Sequence, residues 1–401
     1  MIKYISLFSG IGAPEKALEK LNIPYELLGF SEIDKFAIKS YCKVHNVDES
    51  LNLGDITKID INTLPTDIDL ITHGSPCQDF SVAGKGLGGD KGSNTRSSLM
   101  WNTVDIVKHC KPKYILWENV KNLLSKKHRH NFDAYIETMS NLGYNNYYEV
   151  LNAKDYGVPQ NRERVFTVSI RKDIDNKSFK FPQKQALTIK LKDILENEVD
   201  KKYYLDKEKL DKIFHWKAHQ RPLERVLGKE NIVPTLTARG AGEYHSGIVL
   251  LNEYFNKTTN IDKIITADFR YDEGLRIRKG EIFPCLTCKA GGSSLSGNPY
   301  VISKNEINVA GNYSPSGHSA SRTVDMNGIT PTVMENHGTI TAMNTFKIRK
   351  LTPKECWRLM GFEDEDFNKA AEINSNTQLY KQAGNSIVVN VLVEIFKQLF
   401  N

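Results

Sequence analysis

The chain predicts an α/β protein: a doubly wound, mostly parallel sheet joined to a smaller, irregular, strand-rich region. Three observations predict it. Over the first 170 residues short apolar strands alternate with helices of about 10 to 15 residues, the pattern of a parallel sheet with helical crossovers. Glycine turns or acidic residues stand where those strands end. Past residue 171 the sequence becomes Lys-, Asn-, Gly- and turn-rich, and helical patterning returns from Lys347. The expected division is a catalytic-type domain over 1–175, a second domain over 176–345, and a C-terminal segment over 346–401 that returns to the first.

The elements follow in order. "KYISLFSG" (3–10) is a strand ending in glycine, and "PEKALEKLN" (14–22) an amphipathic helix. "YELLGFSEID" (25–34) is a second strand with acidic residues at its end, and "KFAIKSYCKVH" (35–45) a second helix. "IDLITHGS" (68–75) is a further strand, "SLMWNTVDIVKHC" (98–110) a helix, and "YILWENV" (114–120) a strand. "HNFDAYIETMSNLGY" (130–144) is a helix, followed by strands "NYYEVLNA" (146–153) and "ERVFTVSI" (163–170). Near the C-terminus "LTPKECWRLMGF" has a Thr-Pro helix start, and "NSIVVNVLVEIFKQLF" reads as a buried apolar helix.

Composition narrows the function classes. No run of about 18 apolar residues and no signal pattern is evident, so a soluble, cytoplasmic protein without a membrane partner is expected. The six cysteines (42, 77, 110, 285, 288 and 356) are scattered, which fits a reducing compartment. Cys285 and Cys288 have metal-like spacing but no accompanying pair, so no metal is expected. The net charge is +6, and residues 171–345 hold 26 basic against 21 acidic side chains, so most of the excess lies there. Either a solvated face or a polyanion partner would account for it.

The same middle region carries a weak repeat. "NIVPTLTARGAG" (231–242), "EIFPCLTCKAGG" (281–292) and "GITPTVMENHG" (328–338) share an apolar-x-Pro core followed by glycine, suggesting duplicated strand–turn units.

Ligands of open α/β sheets bind beyond the carboxyl ends of the strands, and the chemically interesting residues fall there. "FSGIG" (Phe8, Gly10, Ile11, Gly12) is a tight turn that lets backbone N–H groups and a helix start approach a ligand. It lacks the third glycine of a dinucleotide fingerprint. Glu32 suits a ribose diol, and Asp55, in "LGDIT", suits an adenine amino group; together they point to an adenosyl-type ligand. "GSPCQDFS" ends a buried strand on Pro76-Cys77 and continues into "SVAGKGLGGDKGSN", a segment that cannot pack. Alone, Cys77 would read as a small core residue. Glu118, in "WENV", is either a solvated acid or a carboxyl kept protonated beside Trp117. In "QNRERVF" the alternation of Arg162 and Arg164 puts both on one face, as a strand-edge pair or a fork for oxygens.

In this order, "FSGIG", "SEID", "GDIT", "GSPCQDFS", "ENV", "QNRERVF", "RKLTPKECWRLMGF" and "QAGNSIVVNV" resemble the DNA (cytosine-5)-methyltransferase family, from Phe8 to Val391. One departure is Ile33, where an aromatic residue often stacks on the cofactor adenine. The resemblance implies the S-adenosylmethionine-dependent methyltransferase type of sheet, with the middle segment as target recognition domain. It implies S-adenosyl-L-methionine as methyl donor, S-adenosyl-L-homocysteine as product, and double-stranded DNA as substrate.

Residue by residue, the resemblance makes Cys77 the nucleophile that adds to cytosine carbon 6. Glu118 holds N3 and the amino group, Arg164 meets the base carbonyl, and Arg162 steadies the loop or a phosphate. Phe8, Gly10, Ile11, Gly12, Glu32, Ile33, Asp55, Ile56, Pro76, Asn385 and Ser386 line the cofactor. The target base is flipped out of the duplex, and "SVAGKGLGGDKGSN" serves as a lid over the thiol. Gln78, Ser81, Arg96, Arg239, Arg276, Arg278 and Arg322 are the expected DNA contacts. A monomer is expected, from a restriction system or a solitary or phage-encoded enzyme, with any cognate endonuclease sharing the site without direct binding. Two rivals stay open: a tRNA cytosine-5 methyltransferase, which would have a short middle region where this chain has about 175 residues, and a catalytically silent DNA-binding homologue, against which the intact Cys77, Glu118, Arg162 and Arg164 argue.

Overall fold

Seven short extended segments of the first 171 residues build the catalytic sheet and its margin. They are β1 (Ile2–Leu7), β2 (Tyr25–Ser31), β3 (Leu70–His73), β4 (Tyr114–Val120), β5 (Tyr144–Asn152), β6 (Gln160–Asn161) and β7 (Glu163–Arg171). The computed structural model describes residues 1–76, 79–80, 88–93, 95–203 and 351–400. Between 204 and 350 it describes the strands at 226–227, 233–234, 248–251, 264–270, 274–278, 299–303, 309–312, 322–324 and 347–350.

Six of these strands form one sheet in the order β2-β1-β3-β4-β7-β5. β2, β1, β3 and β4 are parallel; β7 runs antiparallel to both β4 and β5. The mixed edge has a local cause. β5 and β7 are joined through residues 153–162, which hold only a 3-10 turn at Ala153–Tyr156 and the two-residue β6. That is too short for a helical crossover, so the strands pair antiparallel.

Helices α1 (Ala13–Lys20), α2 (Lys35–His45), α3 (Met100–Cys110) and α4 (Arg129–Asn141) fill the connections, as the alternation predicts. β3 is buried at all four positions, in line with its continuous apolar run. The core beneath it holds Ile71, Trp101, Ile115, Trp117, Phe132, Tyr135 and Val165. The Thr-Pro start is also where expected: Thr352 Oγ1 accepts from Glu355 N, Glu355 accepts from Thr352 N, and a helix runs from Pro353 to Arg358. By length and composition Asn376–Phe400 could cross a bilayer. It is instead two helices, Asn376–Asn385 and Val389–Phe400, whose Leu379, Val389, Leu392, Ile395 and Phe396 are buried in the protein.

The chain divides into two compact units, Met1–Val249 with Arg349–Asn401, and Leu250–Ile348. Of the middle segment, the described residues 176–203 thus cluster with the catalytic sheet. Within the second unit Ile264–Arg270 pairs antiparallel with Gly274–Arg278 and with Pro299–Ser303, and Val309–Asn312 pairs with Arg322–Val324. Arg276 stands opposite Asp268, Arg278 opposite Thr266, and Arg322 opposite Asn312. Of the three repeated cores, the first contributes Val233–Pro234, paired parallel with β6. Those around Pro284 and Pro331 lie outside the described residues, as does Arg239.

Candidate active site

Strand register brings the site together. Leu7 pairs with Ser31 on one side and His73 on the other, and His73 pairs with Trp117. These four residues form one row across the parallel strands, and the next residues of the four chains are Phe8, Glu32, Gly74 and Glu118. The order of strands reverses at β1, where the chain goes to β2 on one flank and returns to β3 on the other. That is the switch point at which doubly wound sheets bind ligands.

The turn after β1 is shaped by backbone conformation. Phe8, Gly10 and Gly12 all have positive φ, at 54°, 57° and 79°. For Phe8 this costs on the order of 1–3 kcal/mol, a strain that concentrates at ligand sites. Glycine is required at 12 for a second reason: a Cβ there would lie 2.1 Å from His45 Nε2. His45 in turn hydrogen-bonds Ile11 O at 3.1 Å and Glu19 at 2.8 Å. Burial opposes charge on the His45 imidazole, but the Glu19 hydrogen bond and the nearby Glu15 carboxylate raise its pKa. Around Gly10 a Cβ would meet nothing within 4 Å, so the space before it is open.

Glu32 organises the adjacent loops. Its carboxylate accepts from Gly10 N at 3.0 Å, Ile33 N at 2.8 Å and Asp34 N at 2.9 Å. About one of its roughly four lone-pair positions is left. Asn52 Oδ1 accepts from both Glu32 N and Gly54 N, at 3.2 and 3.0 Å, drawing the Asp55 segment to the end of β2. Asp55 lies between strands, in the connection that leads from α2 to β3. It caps a 3-10 turn at Ile56–Lys58, accepting from Thr57 N, and that hydrogen bond lowers its pKa. Ile56 is buried, whereas Ile33 is 73 % exposed beside Glu32.

On the other side of β1, Glu118 lies within β4 rather than after it. Its Oε1 is 3.0 Å from Arg164 Nε, both side chains being largely buried. Val120 pairs with Arg164, so Glu118 meets it diagonally across the antiparallel strands. Glu118 Oε2 stands 3.8 Å from where a Gly74 Cβ would be, next to the turn that leads into Pro76. Pro76 O accepts from Ser97 Oγ at 2.9 Å. Cys77, Gln78 and Ser81, with most of the glycine-rich segment, lie outside the described residues. Arg96 opens the 3-10 turn Arg96–Leu99 and is exposed.

The two arginines have different partners, which corrects the reading of them as one fork. Arg162 is 4 % exposed and donates through Nη2 to Ser386 O at 2.7 Å and Gly384 O at 3.2 Å. Through these bonds it holds the C-terminal segment. Gln160 does likewise, donating to Leu359 O at 2.8 Å. Asn385, exposed, and Ser386 thereby reach the same cleft as Phe8, Gly10, His73, Gly74 and Glu118, a space of roughly 510 Å³ partly open to solvent.

The whole chain, residues 2–401, matches the model of the C-5 cytosine-specific DNA methylases. The chain belongs to this family. It is 36 % identical to the orphan methyltransferase M.SPRI of Bacillus phage SPR, over all of this chain and 98 % of that one. It is 33 % identical to the type II methyltransferase M2.ScrFI of Lactococcus lactis subsp. cremoris, over all of this chain and 99 % of that one. In fold it is similar to the Entamoeba histolytica methyltransferase EhMeth, with TM-score 0.66 at 16 % identity, over 100 % of this chain and 98 % of that one. The protein is thus a DNA cytosine-5-methyltransferase, and its family implies S-adenosylmethionine as methyl donor.

The cleft of this methylase fits such a donor. Ser9 Oγ and His73 Nδ1, both buried in its wall, have no hydrogen-bond partner among the described residues. Burial holds the His73 imidazole down to about 3, so it is neutral. The sequence reading passed over Ser9, Asn52, His73 and Ser75. The only signal was positional: His73 and Ser75 are polar residues at the end of the strand run that leads to Pro-Cys.

Proposed function

We propose that this methylase transfers a methyl group to carbon 5 of a flipped-out cytosine through a covalent bond between Cys77 and carbon 6. The observation that supports it most is the single row of paired residues Ser31, Leu7, His73 and Trp117, which sets the Gly10–Glu32 side next to the Gly74–Glu118 side, with Cys77 three residues beyond Gly74 in the chain.

Glu32 would take the ribose hydroxyls, the turn Phe8–Gly12 the donor's remaining polar groups, and Asp55 and Ile56 the adenine edge beside Ile33. Pro76, Asn385 and Ser386 would close the opposite wall. When bound, S-adenosylmethionine supplies an electrophilic methyl on a positively charged sulfur. The protein's part is to make carbon 5 of cytosine nucleophilic. The Cys77 thiolate adds at carbon 6, breaking the ring's conjugation and leaving carbon 5 enamine-like. Glu118, oriented by Arg164, shares its proton with N3 and holds the amino group, and Arg164 reaches toward the base carbonyl. Once carbon 5 carries the methyl group, a base takes its proton, the carbon 6–sulfur bond breaks to release the Cys77 thiolate, and the ring's conjugation is restored. The base must leave the duplex for any of this, so the substrate is DNA opened at one nucleotide.

Glu32→Ala is expected to weaken S-adenosylhomocysteine binding more than DNA binding, because it removes both the diol acceptor and the tie to Gly10 N. Isothermal calorimetry showing unchanged affinity would move the cofactor elsewhere.

We assign sequence readout to the middle segment, with Arg239, Arg276, Arg278 and Arg322 as base or phosphate contacts; each guanine read by an arginine is worth roughly 1–3 kcal/mol. With one target site, Arg239→Ala, Arg278→Ala and Arg322→Ala should all loosen or weaken methylation of a common motif. With separate cores reading separate sites, each variant would erase one motif and spare the rest. Nanopore or bisulfite sequencing of DNA from cells expressing the protein tests the function itself: 5-methylcytosine should appear in a fixed sequence context, and its absence would refute the reading. Two unrelated methylated motifs from the unaltered protein would favour the multispecific case. The relatives' descriptions, orphan and type II, support an enzyme acting alone or beside an endonuclease, and we propose that it works as a cytoplasmic monomer.

A further inference from the structure

The turn that carries Cys77 is fastened to β4 through one side chain. Ser75 is 3 % exposed, and its Oγ accepts from Trp117 Nε1 at 3.0 Å and from Asn119 Nδ2 at 3.3 Å. Ser75 O accepts from Asn119 Nδ2 as well, at 3.3 Å. Trp117 and Asn119 are the residues on either side of Glu118. By strand alternation they project to one face of β4 and Glu118 to the other. Trp117 has little freedom of its own: it is 1 % exposed, stacks on His73 with an interplanar angle of 3°, and packs against Tyr135 with centroids 4.1 Å apart. Beyond Ser75 the chain has little slack, because Pro76 fixes its own φ and its carbonyl is held by Ser97.

We infer that Ser75 is a positioning residue, which sets the separation of the Cys77 nucleophile from Glu118 by receiving the two donors that flank Glu118. The inference rests on the covalent reading above and adds what fixes the geometry of that step. Displacing reacting groups by about 1 Å can cost on the order of a hundredfold in rate. Two buried donors and one acceptor oxygen are the means by which this chain prevents such a shift. The cofactor side hangs on different bonds, through Glu32, Asn52 and Arg162, so the two halves of the site separate experimentally.

The test compares unaltered protein, Ser75→Ala, Trp117→Phe and the double variant. Trp117→Phe keeps an aromatic ring against His73 and Tyr135 while removing the indole N–H donor and part of the ring volume, and it covers the case in which Ser75→Ala fails to fold. Each is assayed for kcat, for the single-turnover rate of adduct formation with a duplex carrying 5-fluorocytosine, and for S-adenosylhomocysteine affinity. Ser75→Ala is expected to lower kcat and adduct rate by about tenfold to a hundredfold with cofactor affinity within about twofold. Trp117→Phe should lower the same two rates by less, and the double variant should be no worse than Ser75→Ala. Unchanged rates in the folded single variants, a parallel loss of cofactor affinity, or additive losses would each overturn the inference. Absence of an adduct with the unaltered protein would instead strike the covalent reading, and this inference with it.

Discussion

Replacing Cys77 with serine is expected to abolish methyl transfer while duplex and S-adenosylhomocysteine binding persist. The hydroxyl is a far weaker acid than the thiol, which at a pKa of about 8.5 already gives a few per cent of thiolate at neutral pH. Among the described cysteines, burial disfavours the thiolate. Burial pushes the Cys110 thiol up to about 11 and raises those of Cys356 and Cys42 as well. Filter binding and calorimetry on the variant, beside a tritium-transfer assay, separate the two properties. Residual transfer within about tenfold of the unaltered protein would remove Cys77 from the chemistry.

Glu118→Gln carries the next largest expected effect. Glutamine keeps the side chain's size and an oxygen that can meet Arg164, but it cannot share a proton with N3. A loss in kcat of about 10²–10⁴-fold is expected, the usual range for a positioned acid–base group. KM for DNA should change little, because the role proposed for Glu118 is at the flipped base and not along the phosphates. Steady-state kinetics on a short duplex measure both; a change confined to KM would make Glu118 a binding residue only.

How much of this was legible in the sequence depends on the range of the interaction. The alternation of strands and helices, the Gly10–Gly12 turn and the Thr352-Pro353 helix start all rest on neighbours in the chain, and local pattern reveals them. Arg162 shows the opposite case. Its carbonyl partners on Gly384 and Ser386 lie 222 and 224 residues away, so spacing alone suggested a fork with Arg164 that does not exist. Asp55 resembled a strand end because apolar residues precede it, yet its side chain bonds to Thr57 two residues on and turns the chain into a 3-10 cap. Phe8 in the left-handed region is invisible to pattern reading, since nothing in a phenylalanine advertises positive φ. Ser75 lies in between: its polarity could be noticed, but its donors Trp117 and Asn119, 42 and 44 residues on, could not be paired with it.

The most direct test of the account is the site of covalent attachment. Unaltered protein is incubated with S-adenosylmethionine and a duplex carrying 5-fluorocytosine at the methylated position, where fluorine takes the place of the proton whose loss releases the enzyme. The account predicts a complex that survives denaturation, in which peptide mass spectrometry places the modified base on Cys77. A trapped complex at any other cysteine, or none under conditions that methylate ordinary cytosine, would contradict it.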